Sequence, residues 1–327
     1  RVEGLVQPRD GKQPVVVFRG VPYAAPPVGP LRFAAPSEHP GWVGARPVVE
    51  FGDAPIQPDS PLTAGLGVGR DEDCLTLNVW TPSCDRDRRP VMVWLYGGSF
   101  STGGSSIPWY DGSSLARRDV VVVTLNYRLG PLGFLHLEAL GGEQWRDAAN
   151  LGLLDQAAAL RWVAENIEQF GGDPANVTLF GESAGAMSVA THLAFPASQG
   201  RFRRAIAQSG AAHSLHSADS AAAIAEQIVH AIGVGKDLDA LRSVPASAFV
   251  EAQARLTDTS GGFLPLPFQP TVDGHSLPQA PFDAVVAGEA RGVDLLTGTN
   301  LEEMRLWGGL ARLSGVDAAM PDEARLV

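Results

Sequence analysis

The stretch VTLFGESAGAM, Val177–Met187, decides the fold because two kinds of local structure meet at one serine. Val177–Phe180 is a short apolar run of the kind that forms a buried strand, and apolar residues return at helical spacing after Ser183. Ser183 lies between Gly181 and Gly185 in the frame G-x-S-x-G. A strand that turns sharply into a helix at such a serine is typical of a nucleophile elbow. The stretch therefore predicts a layered α/β fold and a reactive serine.

Strands and helices alternate along the rest of the chain. The helix predicted from Asp155 to Phe170 carries one apolar stripe and is followed by Gly171 and Gly172, which are typical of a helix end. Another helix is predicted at Ala221–Ile232. Such alternation indicates a mostly parallel central sheet with helices on both faces. The predicted strands are Val91–Tyr96, Val120–Leu125, Val177–Phe180, Ala205–Gln208 and Asp294–Thr297.

The beginning of the chain is rich in Pro and Gly and is expected to form an edge and a rim of the same domain. Short strands are predicted at Val15–Phe18 and Pro47–Glu50. Leu75–Trp80 alternates in polarity and is joined by a polar turn to Val91–Tyr96, so an antiparallel hairpin is predicted there. We expect a single domain over residues 1–327, with the rim and hairpin in about 1–90 and the catalytic core in about 91–327.

Composition and cysteine usage narrow the class of protein. The net charge of −11 argues against nucleic-acid binding, which depends on clustered Lys and Arg. No apolar run approaches the ~20 residues that cross a bilayer, so no membrane association is expected. Cys74 and Cys84 flank a predicted extended segment that holds them too far apart for a disulfide. Two free thiols fit a cytoplasmic protein better than a secreted one, although export stays open.

A serine nucleophile needs backbone N–H donors for the oxyanion that forms during acyl transfer. Gly97 and Gly98 directly follow the strand Val91–Tyr96 and are candidates for this role. Ala184 is a third candidate, because its N–H follows the nucleophile and begins a helix whose positive dipole end favours anionic charge. For the two glycines, the alternative is a plain turn that ends a strand.

Longer motifs resemble those of the type B carboxylesterases, the family that also contains the cholinesterases. The run NLGLLDQAAALRWVAENIEQFGGDPANVTLFGESAGAMSVATH, Asn150–His192, is similar to the signature of that family. All the similar stretches occur in the family's order and together cover most of the chain. The others are FRGVPYAAPPVGPLRF at Phe18–Phe33, EDCLTLNVWTP at Glu72–Pro82, LYGGSF at Leu95–Phe100 and NYRLGPLGFL at Asn126–Leu135.

The resemblance implies an α/β-hydrolase fold in which Ser183 is the nucleophile and forms an acyl-serine intermediate. It also implies that the N–H groups of Gly97, Gly98 and Ala184 form the oxyanion hole. It implies no metal ion and no cofactor, and the expected partner is a small-molecule ester substrate. The oligomeric state does not follow from it.

The acid of this family is the Glu of a G-x-x-x-D-E-G pattern, which falls on Glu303 in the stretch GTNLEEM. The chain departs from the pattern with Glu302 in place of Asp and Met304 in place of Gly, so Glu302 stays a second candidate. An ordinary surface carboxylate is the alternative for Glu303. Resemblance alone also suggests Ser209 as a hydrogen-bond donor to the catalytic group.

The residues after the two oxyanion glycines are candidates for a substrate pocket. One of them replaces the third glycine of the family's loop and keeps a backbone N–H while it adds a side chain. The others are aromatic and could wall an apolar acyl or alcohol pocket, or could equally be core residues. These candidates are Ser99, Phe100, Trp109 and Tyr110.

The base of the expected triad is not found. In α/β hydrolases the histidine follows the acid along the chain, and no histidine follows Glu303. His213 and His216 follow the strand Ala205–Gln208 and are the candidates for a surrogate, with a polar rim residue as the alternative. We expect instead that the sequence is truncated at its C-terminal end and lacks the histidine and the last strand or strands. The seven histidines are His39, His136, His192, His213, His216, His230 and His275.

Together these features predict a serine carboxylic-ester hydrolase whose activity as the present segment is weak. Loss of a triad histidine lowers kcat by about 10⁴-fold to 10⁶-fold. Two alternatives remain open from the sequence. One is a non-catalytic binding module of the cholinesterase-like kind, and the other is an amide or carbamate hydrolase that uses the same triad.

Overall fold

The computed structural model describes residues 1–9, 12–259, 266–303 and 305. Its strands are β1 (Val2–Glu3), β2 (Leu5–Arg9), β3 (Lys12–Pro22), β4 (Arg46–Pro47), β5 (Thr76–Thr81), β6 (Arg89–Leu95), β7 (Val121–Leu125), β8 (Gly172–Glu182), β9 (Arg204–Gln208), β10 (His216–Ser217), β11 (Thr271–Val272) and β12 (Asp294–Gly298). The described residues form one eight-stranded sheet in the order β12-β9-β8-β6-β7-β5-β3-β2. Two small pairs, β1 with β4 and β10 with β11, stand apart from it.

Helices flank this sheet. The α-helices are α1 (Ser113–Ala116), α2 (Gly130–Gly133), α3 (Glu138–Gly141), α4 (Leu151–Asn166), α5 (Ala184–His192), α6 (Ala218–Ile232), α7 (Ala246–Thr259) and α8 (Pro281–Ala287). Short 3-10 helices lie at Gly29–Leu31, Pro61–Thr63, Pro108–Tyr110, Glu143–Asn150, Ile167–Phe170, Pro196–Ser198 and Leu238–Arg242. Within the described part of the chain, none of the helices has the length and apolar character needed to cross a membrane.

The predicted α/β class is confirmed, because the central strands are parallel and apolar. Strands β7, β6, β8, β9 and β12 run in the same direction, and β5, β3 and β2 extend the sheet in antiparallel fashion. Every residue of β7 is buried, as expected for a strand that is covered on both faces. The carboxyl ends of the parallel strands therefore meet at one edge of the sheet, where the candidate site lies.

The predicted hairpin between Leu75–Trp80 and Val91–Tyr96 is wrong. Strands β5 and β6 do not pair, because β7 lies between them, antiparallel to β5 and parallel to β6. The alternating polarity of β5 reflects buried polar pairs and not a solvent-facing side. Asn78 in β5 donates from Nδ2 to the hydroxyl oxygen of Thr124 in β7 at 3.0 Å, and both side chains are buried.

Other boundaries differ from the prediction by smaller amounts. Strand β3 covers Lys12–Pro22 and is much longer than Val15–Phe18, whereas Pro47–Glu50 contributes only the two-residue β4. Helix α4 begins before Asp155, and the chain leaves its final 3-10 turn at Gly171 with a left-handed φ of 77°. Cys74 is buried and Cys84 is exposed, and both are free thiols as predicted.

A buried ion pair joins the end of β7 to helix α4. The guanidinium of Arg128 donates to Asp155 from Nε at 2.8 Å and from Nη2 at 2.7 Å, and the backbone N–H of Arg128 donates to the same carboxylate at 3.0 Å. Both side chains are almost fully inaccessible to solvent. Arg128 also donates from Nη1 to the carbonyl oxygen of Ala34, which ties the rim to the core.

Replacement of Asp155 by Ala should lower the free energy of unfolding by about 3–5 kcal/mol, because it leaves a buried guanidinium without its counterion. Urea denaturation monitored by circular dichroism measures the change. The matched control is Glu143→Ala, which removes the exposed partner of Arg146 and should change stability by at most about 0.5 kcal/mol. Equal losses in the two variants would contradict the structural role of the buried pair.

Candidate active site

Ser183 occupies the sharp turn between β8 and α5. Its backbone has φ 55° and ψ −124°, a region that residues with a side chain rarely adopt. The Ser183 N–H donates to the carbonyl oxygen of Gln208 at 2.9 Å, and the Ser183 carbonyl accepts from the N–H of Met187 at 2.9 Å. These two bonds hold the strained residue between strand β9 and the first turn of α5, with its side chain partly exposed to solvent.

Glycines surround this turn because other chain segments leave no room for a side chain. A Cβ atom at Gly181 would lie 2.6 Å from the carbonyl carbon of Gly185 and 2.8 Å from the carbonyl oxygen of Leu95. A Cβ atom at Gly185 would overlap that same Leu95 carbonyl. Gly210, which the sequence analysis did not single out, packs equally closely, since its Cβ would lie 2.5 Å from the Ser183 carbonyl oxygen. The sequence feature that could have identified Gly210 is the Ser209-Gly210 pair directly after the predicted strand Ala205–Gln208.

The loop after β6 lies beside the serine. A Cβ atom at Gly97 would lie 2.9 Å from the Cβ of Ser183 and 2.7 Å from the carbonyl oxygen of Glu182. Gly98 has φ 120°, and its carbonyl accepts hydrogen bonds from two later N–H groups of the same loop at 3.0 and 2.9 Å. The loop is therefore a tight turn whose first residue lies directly beside Ser183.

Backbone N–H groups along this loop are available to an anion. Among the described residues, the N–H groups from Gly97 to Phe100 meet no hydrogen-bond acceptor, and neither does that of Ala184 at the start of α5. Ser99 and Phe100 have left-handed φ angles of 58° and 55°. Successive amides in such turns form concavities that bind anions. Because β6 and β8 are adjacent parallel strands, both sets of amides stand at the same sheet edge.

Glu303 follows β12 and is fixed by two neighbours. Its carboxylate accepts from the Asn300 backbone N–H at 3.1 Å and from the Asn300 side-chain amide at 3.0 Å. The pKa of Glu303 is lowered, first by a hydrogen bond from the Ser209 hydroxyl and then by the Asn300 donors. Glu302, the second candidate, instead forms an exposed ion pair with Arg305 at 2.7 Å. The structure thus brings Ser209 to Glu303, whereas the carboxylate of Glu302 is paired with Arg305.

Glu182, directly before Ser183, is a charged residue to which the sequence analysis assigned no role. Loss of hydration raises its pKa, and the negative charge of Glu303 raises it further. The charge of Glu182 in turn contributes to the raised pKa of Tyr110, which is about 12 chiefly because of burial. Glu182 and Glu303 therefore lie close enough for their charges to interact. In the sequence, Glu182 was marked only by its position between Gly181 and Ser183 in the G-x-S-x-G frame.

The four pocket candidates take different environments. Phe100 is fully buried and packs edge-on against Phe134 with ring centroids 5.0 Å apart. Trp109 is 79% exposed. Tyr110 is partly buried, with its ring centroid 5.2 Å from that of Trp94. Ser99 is partly buried in the turn itself. Only Tyr110 is linked to the site by a described interaction, through the charge of Glu182.

The two surrogate histidines engage other partners. His213 is exposed, and its ring lies against Phe282 with centroids 4.7 Å apart. His216 has one ring nitrogen 3.3 Å from the carbonyl oxygen of Pro267 and the other 3.2 Å from the hydroxyl of Ser220. Neither ring forms a hydrogen bond to Ser183 among the contacts that the structure describes.

No imidazole in the described part of the chain forms a hydrogen bond with Ser183. His192 is buried on α5, where it contacts Gln156 at 2.8 Å and Ser198 at 3.0 Å, and burial lowers its pKa to about 3. His275 lies 3.4 Å from Asp147 on a loop. The described residues also contain no cluster of three or more His, Cys, Asp or Glu side chains that could hold a metal ion.

Comparisons with known proteins agree with this arrangement. The model of the carboxylesterase family matches residues 1–313. The chain is 45% identical over 292 residues to para-nitrobenzyl esterase of Bacillus subtilis (strain 168), covering 88% of this chain and 59% of the relative. It is 38% identical over 321 residues to cholinesterase of Mus musculus, covering 93% and 52% of the two chains.

Solved structures give the same result. Carboxylesterase EST55 of Geobacillus stearothermophilus at pH 6.2 superposes with a TM-score of 0.86 at 42% identity, covering 95% of this chain and 62% of that chain. A solved PNB esterase gives a TM-score of 0.84 at 43% identity, covering 93% and 62%. The chain therefore spans between half and two thirds of the length of these relatives.

Ser209→Ala should raise the pKa of Glu303 toward the ordinary value of a glutamate, because it removes the hydrogen bond that stabilises the ionised form most. The lowered pKa of Glu303 also affects the pH dependence of stability. A lowered pKa in the folded state stabilises the fold above the ordinary glutamate pKa, and this contribution is lost as the pH falls through the folded-state pKa.

A carbon-detected NMR titration of the Glu303 carboxyl group measures this shift. Ser214→Ala, on the same loop as Ser209, is the control and should leave the titration unchanged. An unaltered pKa in Ser209→Ala would show that the hydroxyl does not act on the acid.

Proposed function

The chain belongs to the carboxylesterase family, and from that premise we propose that it carries the nucleophile, the oxyanion donors and the acid of a serine carboxylic-ester hydrolase. The proposal rests chiefly on one observation. Ser183 is strained, with φ 55° and ψ −124°, and it lies at a strand end against Gly97. The N–H groups of Gly97 and of the next residues in its loop have no acceptor among the described residues. A turn that served only to connect a strand to a helix would need neither feature.

In the proposed reaction, the Ser183 hydroxyl oxygen attacks the carbonyl carbon of the ester and gives its proton to a base. The carbonyl oxygen becomes an oxyanion that accepts hydrogen bonds from Gly97, Gly98 and Ala184, with Ser99 as a further amide of the same turn. Removal of one such donor typically costs about 3–4 kcal/mol of transition-state stabilisation. The alcohol leaves with a proton, and water then hydrolyses the acyl-Ser183 intermediate and regenerates the hydroxyl.

Glu303 would orient the imidazole of the base and stabilise its protonated form. Its lowered pKa supports this role, because the hydrogen bonds from Ser209 and Asn300 that lower it stabilise the ionised carboxylate. We place the base outside the 327 residues of this sequence. This placement is supported by family order, in which the histidine follows the acid, and by the positions of His213 and His216, whose rings contact other groups.

The substrate is proposed only as a small-molecule carboxylic ester. Similar proteins carry the names para-nitrobenzyl esterase and cholinesterase, so an ester bond is what their names share. Phe100, Trp109 and Tyr110 stay proposals for the acyl or alcohol pocket, and amide or carbamate hydrolysis stays open on the same residues. A non-catalytic binding module is disfavoured, since binding alone gives no reason for a strained serine beside unpaired amides. The free thiols support a cytoplasmic location.

The 327-residue chain should react slowly with a fluorophosphonate probe at Ser183, and added imidazole should increase the labelling rate because it supplies the missing base in solution. Intact-protein and peptide mass spectrometry measure the extent and the position of labelling. The increase should depend on the neutral form of imidazole and therefore grow as the pH rises through about 7.

Ser183→Ala is the control for the nucleophile and should abolish both the slow and the imidazole-dependent labelling. His213→Ala is the control for a surrogate base and should leave both unchanged. Labelling at a different serine would refute the proposed nucleophile. Fast labelling without imidazole that is lost in His213→Ala would refute the placement of the base.

A further inference from the structure

The loop that follows β6 is held from outside by an amide side chain. Gln57 donates from Nε2 to the carbonyl oxygen of Gly103 at 2.6 Å, and its Oε1 accepts from the backbone N–H of Gly103 at 2.7 Å. Gln57 belongs to the rim, 46 residues earlier in the chain, and only 4% of it is exposed to solvent. One buried side chain therefore pairs with both backbone groups of one loop residue, as a neighbouring strand would.

Gln57 is itself fixed within the rim. Its Nε2 also donates to the carbonyl oxygen of Pro55 at 2.9 Å, and its backbone carbonyl accepts from Arg70 at 3.3 Å. The rim segment around it is closed by a bridge between Ala54 and Arg70. Because the donors and the acceptor of the Gln57 amide all have partners, the amide cannot rotate without breaking a buried hydrogen bond.

Gly103 connects this clamp to the candidate oxyanion donors. It has a left-handed φ of 127°, and a Cβ atom built on it would lie 2.8 Å from the carbonyl oxygen of Gly97. The preceding residue, Thr102, donates from its backbone N–H to the carbonyl oxygen of Gly98 at 2.9 Å. Gly97 in turn lies against Ser183. A shift of Gly103 would therefore move both glycines relative to the serine.

We propose that Gln57 is a positioning residue of the oxyanion hole, which acts through Gly103 to hold the N–H groups of Gly97 and Gly98 where an oxyanion formed at Ser183 can accept from them. This role rests on the proposed function, since the oxyanion forms only if Ser183 is the nucleophile. An apolar side chain could fill the same space, but it would leave both backbone groups of Gly103 unpaired in the interior.

The chemistry of the clamp requires an amide. An ionised carboxylate of the same shape accepts hydrogen bonds but donates none, so it would face the carbonyl oxygens of Gly103 and Pro55 without a hydrogen between them. A protonated carboxyl group has one donor and regains part of the pairing. The variants Gln57→Leu and Gln57→Glu therefore separate the loss of the clamp from the loss of volume.

Gln57→Leu should disturb two of the three proposed oxyanion donors in a chain whose Ser183 carries a phosphonyl group. In the wild type, the amide proton resonances of Gly97, Gly98 and Ala184 should move downfield on phosphonylation, because each N–H gains a strong acceptor. Gln57→Leu should lose this shift at the two glycines and keep it at Ala184. Nuclear magnetic resonance spectra of the ¹⁵N-labelled chain measure the shifts. The imidazole-dependent labelling should slow by up to about 10²-fold, since a displacement of about 1 Å can cost that much.

Gln156→Leu is the matched control, because Gln156 is also a buried glutamine and its side chain bonds to two residues of α5. This variant should keep the downfield shifts of Gly97 and Gly98. Thermal unfolding compares the stability of the two variants, so that a general loss of stability is not taken for a loss of positioning.

Gln57→Glu gives the same comparison if Gln57→Leu does not fold. The downfield shifts of Gly97 and Gly98 should be lost at neutral pH and should partly return as the pH falls through the pKa of the introduced carboxyl group, because only the protonated form donates. A defect that was merely structural would not reverse in this way.

Three results would overturn the role of Gln57 while Ser183 stays the labelled residue. They are wild-type shifts at Gly97 and Gly98 in Gln57→Leu, an equal loss of these shifts in Gln156→Leu, and shifts in Gln57→Glu that do not change with pH. Absence of labelling at Ser183 in the wild type would instead refute the proposed function, and the role of Gln57 with it.

Discussion

The close approach of the serine turn to the end of β6 is the constraint on which the candidate site depends. The carbonyl of Leu95 lies so near Gly185 that any side chain there would overlap it, and Gly97 is nearly in contact with the Cβ of Ser183. Two parallel strands must therefore end at the same level, with glycine on each side of the contact. The strain at Ser183 is held by this packing and by the hydrogen bond to Gln208 of β9. The strained backbone of Ser183 thus depends on the register of the sheet.

The interactions between charged side chains at the candidate site also depend on this shared edge of the sheet. Strands β8, β9 and β12 end side by side, so Glu182, Ser209 and Glu303 are brought together although they are far apart in sequence. The pKa values of the two carboxylates shift in opposite directions. Hydrogen bonds from Ser209 and Asn300 lower the pKa of Glu303, and partial burial together with the charge of Glu303 raises the pKa of Glu182. One acid is therefore held in its ionised form, and the other is more readily protonated.

Sequence patterns predicted the parts of this structure that depend on local spacing. The strand before Ser183, the helix after it and the glycine end of α4 follow from apolar periodicity and turn chemistry, so they could be predicted from the residues alone. The neighbour of β5 could not be predicted in this way, because alternating polarity looks the same for a solvent-facing strand and for one whose Asn78 meets Thr124 in the core. The role of Gly210 likewise depends on a contact between distant segments, which no local pattern records.

Glu303 follows β12, the outermost strand at one side of the described sheet. Within the described residues, β12 is held by its hydrogen bonds to β9, and both of its leucines are exposed. Strands β8 and β9, by contrast, each pair with a neighbour on both sides within the described sheet. The position of Ser183 is therefore fixed by the interior of the sheet, whereas Glu303 follows a strand that pairs on one side among the described residues.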